Sequence, residues 1–224
     1  MKNITKKKLI LASQSPRRKE LLEQAGVDFE IVPADIEESI MPSELPDDYV
    51  RRLSREKAQF VAQKIGQQRQ KTDDNNISSK HSNSYPNADN IWVIGADTTV
   101  VVGTQILEKP VSEDDARLML ENLSGKNHIV YTGFTLCSDD EKKIITSSVK
   151  TDVLFKRLTE REIDWYINTG EPFDKAGGYA IQGLGAFMVR SISGSYSNVV
   201  GLPVCEVMES LIEYEIVEMV KGLK

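Results

Sequence analysis

Apolar positions recur with two different spacings along the chain, and their alternation predicts a string of strands and helices. A short apolar run at 8–12 predicts a strand. Ser13-Gln14-Ser15-Pro16 breaks that pattern, and Ser15 as N-cap with Pro16 at the first helical position opens a helix that runs to Ala25 and ends at Gly26. Phe29–Pro33 predicts a second strand. An amphipathic helix spans about 47–65, with Val50, Leu53, Lys57 and Val61 on one stripe. Between 66 and 90 apolar residues nearly vanish, and this low-complexity stretch is expected to be a disordered surface insertion.

A run of buried-strand type follows from Ile91 to Val102, and Gly103-Thr104-Gln105 turns it into a strand ending at Glu108-Lys109-Pro110. Ser112 with Asp115 reads as a capping box for a helix that Gly125 closes. Strands at about 128–138 and 143–155 flank the polar turn Asp139-Asp140-Glu141, and Thr159 with Glu162 caps a helix ending near Gly170. A glycine-rich stretch, a strand at 186–192 and a last helix at about 203–221 complete the chain. The expectation is an α/β fold with a mixed sheet, built as a single domain over 1–224 that carries the insertion.

Composition narrows the function. The 224 residues include 28 Lys+Arg against 34 Asp+Glu, a net charge of −6, so the surplus of cations that a nucleic acid polymer requires is missing. Two cysteines outside any CxxC pair and two histidines make a disulfide scaffold or a Cys/His zinc site unexpected, so any metal would be hard and held by carboxylates. Lys6-Lys7-Lys8 precedes an apolar run that stops at Ser13, short of the roughly 7–15 residues of a signal-peptide core. The expectation is a cytoplasmic protein with no membrane partner.

Candidate chemistry lies where residues break local rules. Arg17, Arg18 and Lys19 occupy the first turn of a helix, where the macrodipole favours anions; with the free backbone N–H groups they would cradle a phosphate. Lys57 lies on an apolar stripe, either snorkelling to solvent or reaching into a cleft. Asp97 sits inside an apolar strand, where a carboxylate needs a cation, hydrogen bonds or a metal. Glu37-Glu38 follows a strand exit, Lys109 ends a strand, and Gln182 in the segment from Lys175 to Gly185 could offer its amide to a base edge.

Ser13-Gln14-Ser15-Pro16-Arg17-Arg18-Lys19-Glu20-Leu21-Leu22 resembles the opening signature of the Maf family of nucleoside triphosphate pyrophosphatases. The resemblance continues in order through Ile36-Glu37-Glu38, Arg55-Glu56-Lys57-Ala58, Gly95-Ala96-Asp97-Thr98, Leu107-Glu108-Lys109-Pro110 and Leu123-Ser124-Gly125. It ends with Lys175-Ala176-Gly177, Ile181-Gln182-Gly183, Gly194-Ser195-Tyr196 and Val200-Gly201-Leu202-Pro203. It implies an elongated α/β fold with two lobes around a deep cleft, similar to inosine triphosphate pyrophosphatases and usually dimeric, so a homodimer is expected. It implies a house-cleaning hydrolase that splits a nucleoside triphosphate into monophosphate and pyrophosphate with Mg²⁺ or Mn²⁺, with a link to cell-division arrest as a further expectation.

By the same resemblance, Asp97 is the proton acceptor; Arg17, Thr98 and Gln182 affect substrate choice; Arg18, Glu38, Lys57 and Lys109 are further polar cleft residues. Ser13 and Ser15 are expected beside the substrate, and Asp97 with Glu38 on the metal. The Lys-Ala-Gly and Ile-Gln-Gly forms resemble the dTTP/UTP-cleaving branch rather than the 7-methyl-GTP branch. Gln14 and the insertion depart from the family pattern. A nucleotide-sensing regulator without catalysis is the reading from another class.

Overall fold

A computed structural model describes residues 4–75 and 91–219. Strands β1 (Ile4–Thr5) and β9 (Val217–Glu218) pair as a small antiparallel ribbon. The main sheet is mixed. β2 (Leu9–Leu11) lies parallel to both β3 (Glu30–Ile31) and β4 (Trp92–Val102). β4 continues antiparallel to β5 (Gln105–Leu107) and to β6 (Asn127–Ser138), then β6 to β7 (Ile144–Phe155) and β7 to β8 (Val189–Ser193). The helices are α1 (Pro16–Gln24), α2 (Pro46–Asn75), α3 (Glu113–Leu123), α4 (Glu160–Asn168), α5 (Tyr196–Val200) and α6 (Val204–Glu213).

The three long strands span two apolar bodies. Trp92, Ile94 and Ala96 of β4 pack with Phe134 and Leu136 of β6 beneath α1 and α6. Val100 of β4 packs with Val130, Val153 and Phe155 beneath α3 and α4. Between these clusters the strands carry polar residues, with Thr98 opposite Thr132, and Thr151 of β7 beside them. Buried Asn198 joins them, donating from Nδ2 to the Val130 carbonyl at 3.1 Å and to Thr151 Oγ1 at 3.0 Å. Two lobes thus share one sheet, with a polar waist where the cleft opens.

Three boundaries differ from the sequence reading. α2 continues to Asn75, so 66–75 is helical rather than disordered, while 76–90 lies outside the described residues. The helix runs along the β6–β7 turn: Gln59 and Gln63 donate to Glu141 Oε2 at 2.9 and 3.3 Å, and in the extension Arg69 pairs with Asp139. The last helix is shorter than the expected 203–221: α6 stops at Glu213, and the chain leaves it through Glu215 at φ 53° so that buried Ile216 and Val217 return toward β1. The strand expected at 186–192 begins only at Val189, because Gly183–Met188 forms a 3₁₀ turn first.

The caps differ too. Thr159 and Glu162 form the reciprocal capping box. Ser112 accepts from the Asp115 N–H, yet the Asp115 carboxylate takes the N–H of Val111 at 3.0 Å instead of closing the box. Ser15 sits at the N-cap of α1 without a side-chain cap bond, which leaves that helix end open.

Candidate active site

Two glycines bring α2 onto the sheet. A Cβ on Gly95 of β4 would lie 2.1 Å from the Ser54 carbonyl oxygen, and one on Gly133 of β6 would lie 2.3 Å from that of Val50. Only glycine permits this approach. Ser54 Oγ also shares a hydrogen bond with Thr135 Oγ1 at 2.9 Å. With the helix seated here, Lys57 lies against Asp97, two residues along β4 from Gly95.

The result is a three-membered ion cluster. Lys57 Nζ stands 2.7 Å from Asp97 Oδ1 and 2.6 Å from Glu38 Oε1. The Lys57 and Asp97 side chains are each 9% exposed, so the ammonium does not snorkel; Glu38 is 43% exposed at the cleft rim. Burial opposes ionisation of Glu38, but the Lys57 hydrogen bond and charge, with Lys109 and Arg18 adding, outweigh it and hold the carboxyl below its usual range. Tyr49 Oη donates to the Glu38 carbonyl at 3.0 Å and lies 3.4 Å from Glu108 Oε1. Burial, then the charges of Asp97 and Glu108, push its phenol far up, so Tyr49 remains a donor.

The facing wall is the Ser13–Arg18 segment. Arg18 donates from Nε to the Gly201 carbonyl at 2.8 Å, from Nη1 to Ser13 Oγ at 3.2 Å and from Nη2 to Thr98 Oγ1 at 3.1 Å. Desolvation lowers its pKa while Asp97 and Glu38 act in the opposite direction. Ser13 Oγ also accepts from the Ser15 N–H at 3.2 Å. Ser13 therefore organises the loop and steadies Arg18. Thr98 Oγ1 shares bonds with Thr132 Oγ1 at 2.9 Å and the Gly201 carbonyl at 3.3 Å, so this hydroxyl is committed to holding Arg18. Arg17 lines the cleft at the open end of α1, whereas Lys19 turns away to pair with Glu23.

All ten expected site residues line one cleft of about 700 Å³: Ser13, Ser15, Arg17, Arg18, Glu38, Lys57, Asp97, Thr98, Lys109 and Gln182. Tyr49, Glu108, Asp174 and Lys175 line it as well and were not among them. Lys175 and Glu108 stand in motifs quoted for the resemblance, but Tyr49 occupies an ordinary apolar helix position and nothing in the sequence marks it. Among the described residues no three His, Cys, Asp or Glu side chains converge as a metal cage. Glu38 and Asp97, sharing Lys57, supply two carboxylates, and Mg²⁺ is commonly held by one or two carboxylates together with substrate phosphates. The donor set fits a hard divalent ion.

The family model described as Maf-like protein matches residues 8–214. The chain belongs to the Maf family. Among curated relatives, a dTTP/UTP pyrophosphatase of Pseudoalteromonas atlantica is 49% identical over 91% of this chain and 95% of its own. Family members of the same name from Syntrophus aciditrophicus and Geotalea uraniireducens are each 47% identical, over 91% and 92% of this chain and 88% and 94% of theirs. A solved nucleoside-triphosphatase / dITP/XTP pyrophosphatase from Mycobacterium abscessus aligns loosely, at 12% identity and a TM-score of 0.40, over 93% of this chain and 95% of its own. Among the described residues no helix is long and apolar enough to cross a membrane.

Proposed function

We propose that this Maf protein hydrolyses dTTP and UTP to the nucleoside monophosphate and pyrophosphate. The observation that carries the reading is the pairing, in one cleft, of two carboxylates held by Lys57 with an uncapped helix end bearing Arg17 and Arg18. Curated relatives of this name, collinear over nearly the whole chain, supply the substrate.

The triphosphate lies along the α1 terminus, where backbone N–H groups, Arg17 and Arg18 meet its charge, with Lys109 on the opposite rim. A water attacks the α-phosphorus and gives its proton to the Asp97 carboxylate. The bond from that phosphorus to the bridging oxygen breaks, and pyrophosphate leaves with the bond electrons. Arg18, preorganised by three hydrogen bonds, stabilises the charge that develops. Lys57 orients both carboxylates through its direct contacts with them. Glu38 and Asp97 would hold the divalent metal, which when bound lowers the pKa of the attacking water and neutralises phosphate charge. Gln182 reads the pyrimidine edge.

The test is pyrophosphate release from dTTP and UTP, with 7-methyl-GTP and CTP as comparators. Asp97→Asn should lower kcat by about 10²–10⁴-fold, the usual contribution of a positioned base. Near wild-type release by that variant would overturn the reading.

A further inference from the structure

Gln182 stands at the apex of a tight loop, and the groups that shape this loop lie outside the cleft. Gly183 is at φ 71°, and a Cβ there would stand 3.0 Å from Glu171 Oε2. A Cβ on Gly185 would stand 2.5 Å from the Ala180 carbonyl and 2.8 Å from Tyr166 Oη. The two ends of the loop therefore touch, with Ile181 and Gln182 projecting between them into the cleft wall.

One side-chain pair ties both ends down. Glu171 Oε1 accepts from the Gly185 N–H at 3.0 Å and from Tyr166 Oη at 3.0 Å, while its Oε2 accepts from the Leu184 N–H at 3.1 Å. Tyr166 Oη in turn accepts from the Ala180 N–H at 3.3 Å. Burial, then the Glu171 charge, push the Tyr166 phenol upward, so it stays protonated and keeps donating to the carboxylate. Glu171 reaches the phosphate side as well, because its carbonyl accepts from Lys175 Nζ at 2.9 Å and Lys175 lines the cleft. Neither Tyr166 nor Glu171 lines the cleft itself. Tyr166 is buried at the end of α4, so the clamp rests on a rigid element rather than on a loop.

We propose that Tyr166 and Glu171 are positioning residues that set Gln182, and through it the choice of base, in the triphosphate reaction. The proposal rests on Gln182 reading the pyrimidine. Glu171→Gln keeps the size of the side chain but removes its charge and turns one acceptor into a donor facing an N–H. Tyr166→Phe removes a single hydroxyl shared by Ala180 and Glu171. Both variants should raise KM for dTTP and UTP about tenfold, the scale of one hydrogen bond to a charged group, with kcat changed far less. They should also narrow the preference for UTP over CTP, which differ only in the base.

The deciding experiment is a double-mutant cycle on that preference. Gln182→Ala should narrow it alone, and adding Glu171→Gln or Tyr166→Phe to Gln182→Ala should narrow it no further. Additive effects, or a preference untouched by Gln182→Ala, overturn the proposal. If Glu171→Gln fails to fold, Tyr166→Phe carries the same cycle. A wild-type protein that releases no pyrophosphate refutes the hydrolase reading instead. The clamp then stands or falls on the same cycle measured as affinity for non-hydrolysable α,β-methylene analogues of UTP and CTP.

Discussion

At the residue scale the decisive feature is one ammonium shared by two carboxylates. Removing Lys57 leaves Asp97 buried and Glu38 beside it with like charge. The loss of one partner from a buried pair costs about 3–5 kcal/mol, and the exposure of Glu38 brings the expected loss for Lys57→Met to about 2–3 kcal/mol. The same change frees the carboxylate oxygens of Glu38 and Asp97, which would hold a divalent cation, from their contacts with the ammonium. Without nucleotide, added Mn²⁺ should therefore raise the melting temperature of Lys57→Met more than that of the wild type, in a thermal-shift titration. Equal shifts for the two proteins would mean that Lys57 does not compete with the ion.

At the element scale the site depends on how closely α2 lies on the sheet. Gly95→Ala and Gly133→Ala each place a methyl group against α2 backbone that cannot yield as a flexible side chain would. Overpacking of this kind costs about 1–3 kcal/mol, and the helix must lift to relieve it. Lifting α2 carries Lys57 away from Asp97, and misplacement by about 1 Å can cost on the order of 100-fold in rate. Both variants should lose activity out of proportion to the stability lost, as kcat and urea midpoints measured on the same preparations would show. A variant with lowered stability and unchanged kcat would detach the helix seating from catalysis.

At the scale of the whole molecule, one buried histidine adds a pH dependence to the stability of the second lobe. His128 is 2% exposed, stands edge-on to Phe155 and Tyr179, and has Nε2 2.7 Å from Tyr179 Oη. Burial pushes its pKa down to about 4 from the ordinary 6.5. Below pH 6.5 the unfolded chain takes up a proton that the folded protein refuses until about pH 4, so stability falls as pH drops through that window. At about 1.4 kcal/mol per unit, the loss approaches 3 kcal/mol across the window. His128→Gln should flatten the difference between unfolding free energies at pH 7 and pH 4.5, measured by denaturant titration. An unchanged slope would assign the acid sensitivity to carboxylates alone.

Much of the fold was legible from periodicity and punctuation, because strands and caps depend on neighbours in sequence. The Thr159–Glu162 box, the long strand carrying Asp97 and the Pro16 helix start all follow from local rules. The end of α2 was not legible: its polar face gives no apolar period after Ile65, and there Arg69 pairs with Asp139, far along the chain. The return of Ile216 and Val217 toward β1 has the same origin, since the partner strand lies at the opposite end of the sequence. In the site, local sequence already marks the charges that need partners: a carboxylate inside an apolar strand, a lysine on an apolar stripe and arginines at a helix start. Folding alone brings Lys57 to Asp97 and Glu38 together, sets Thr98 and Ser13 against Arg18, places Tyr49 on the Glu38 carbonyl and joins Tyr166 to Glu171. The physical reason is that desolvation makes a buried charge seek a partner at any sequence distance, while the glycines at 95 and 133 determine which partner comes within reach.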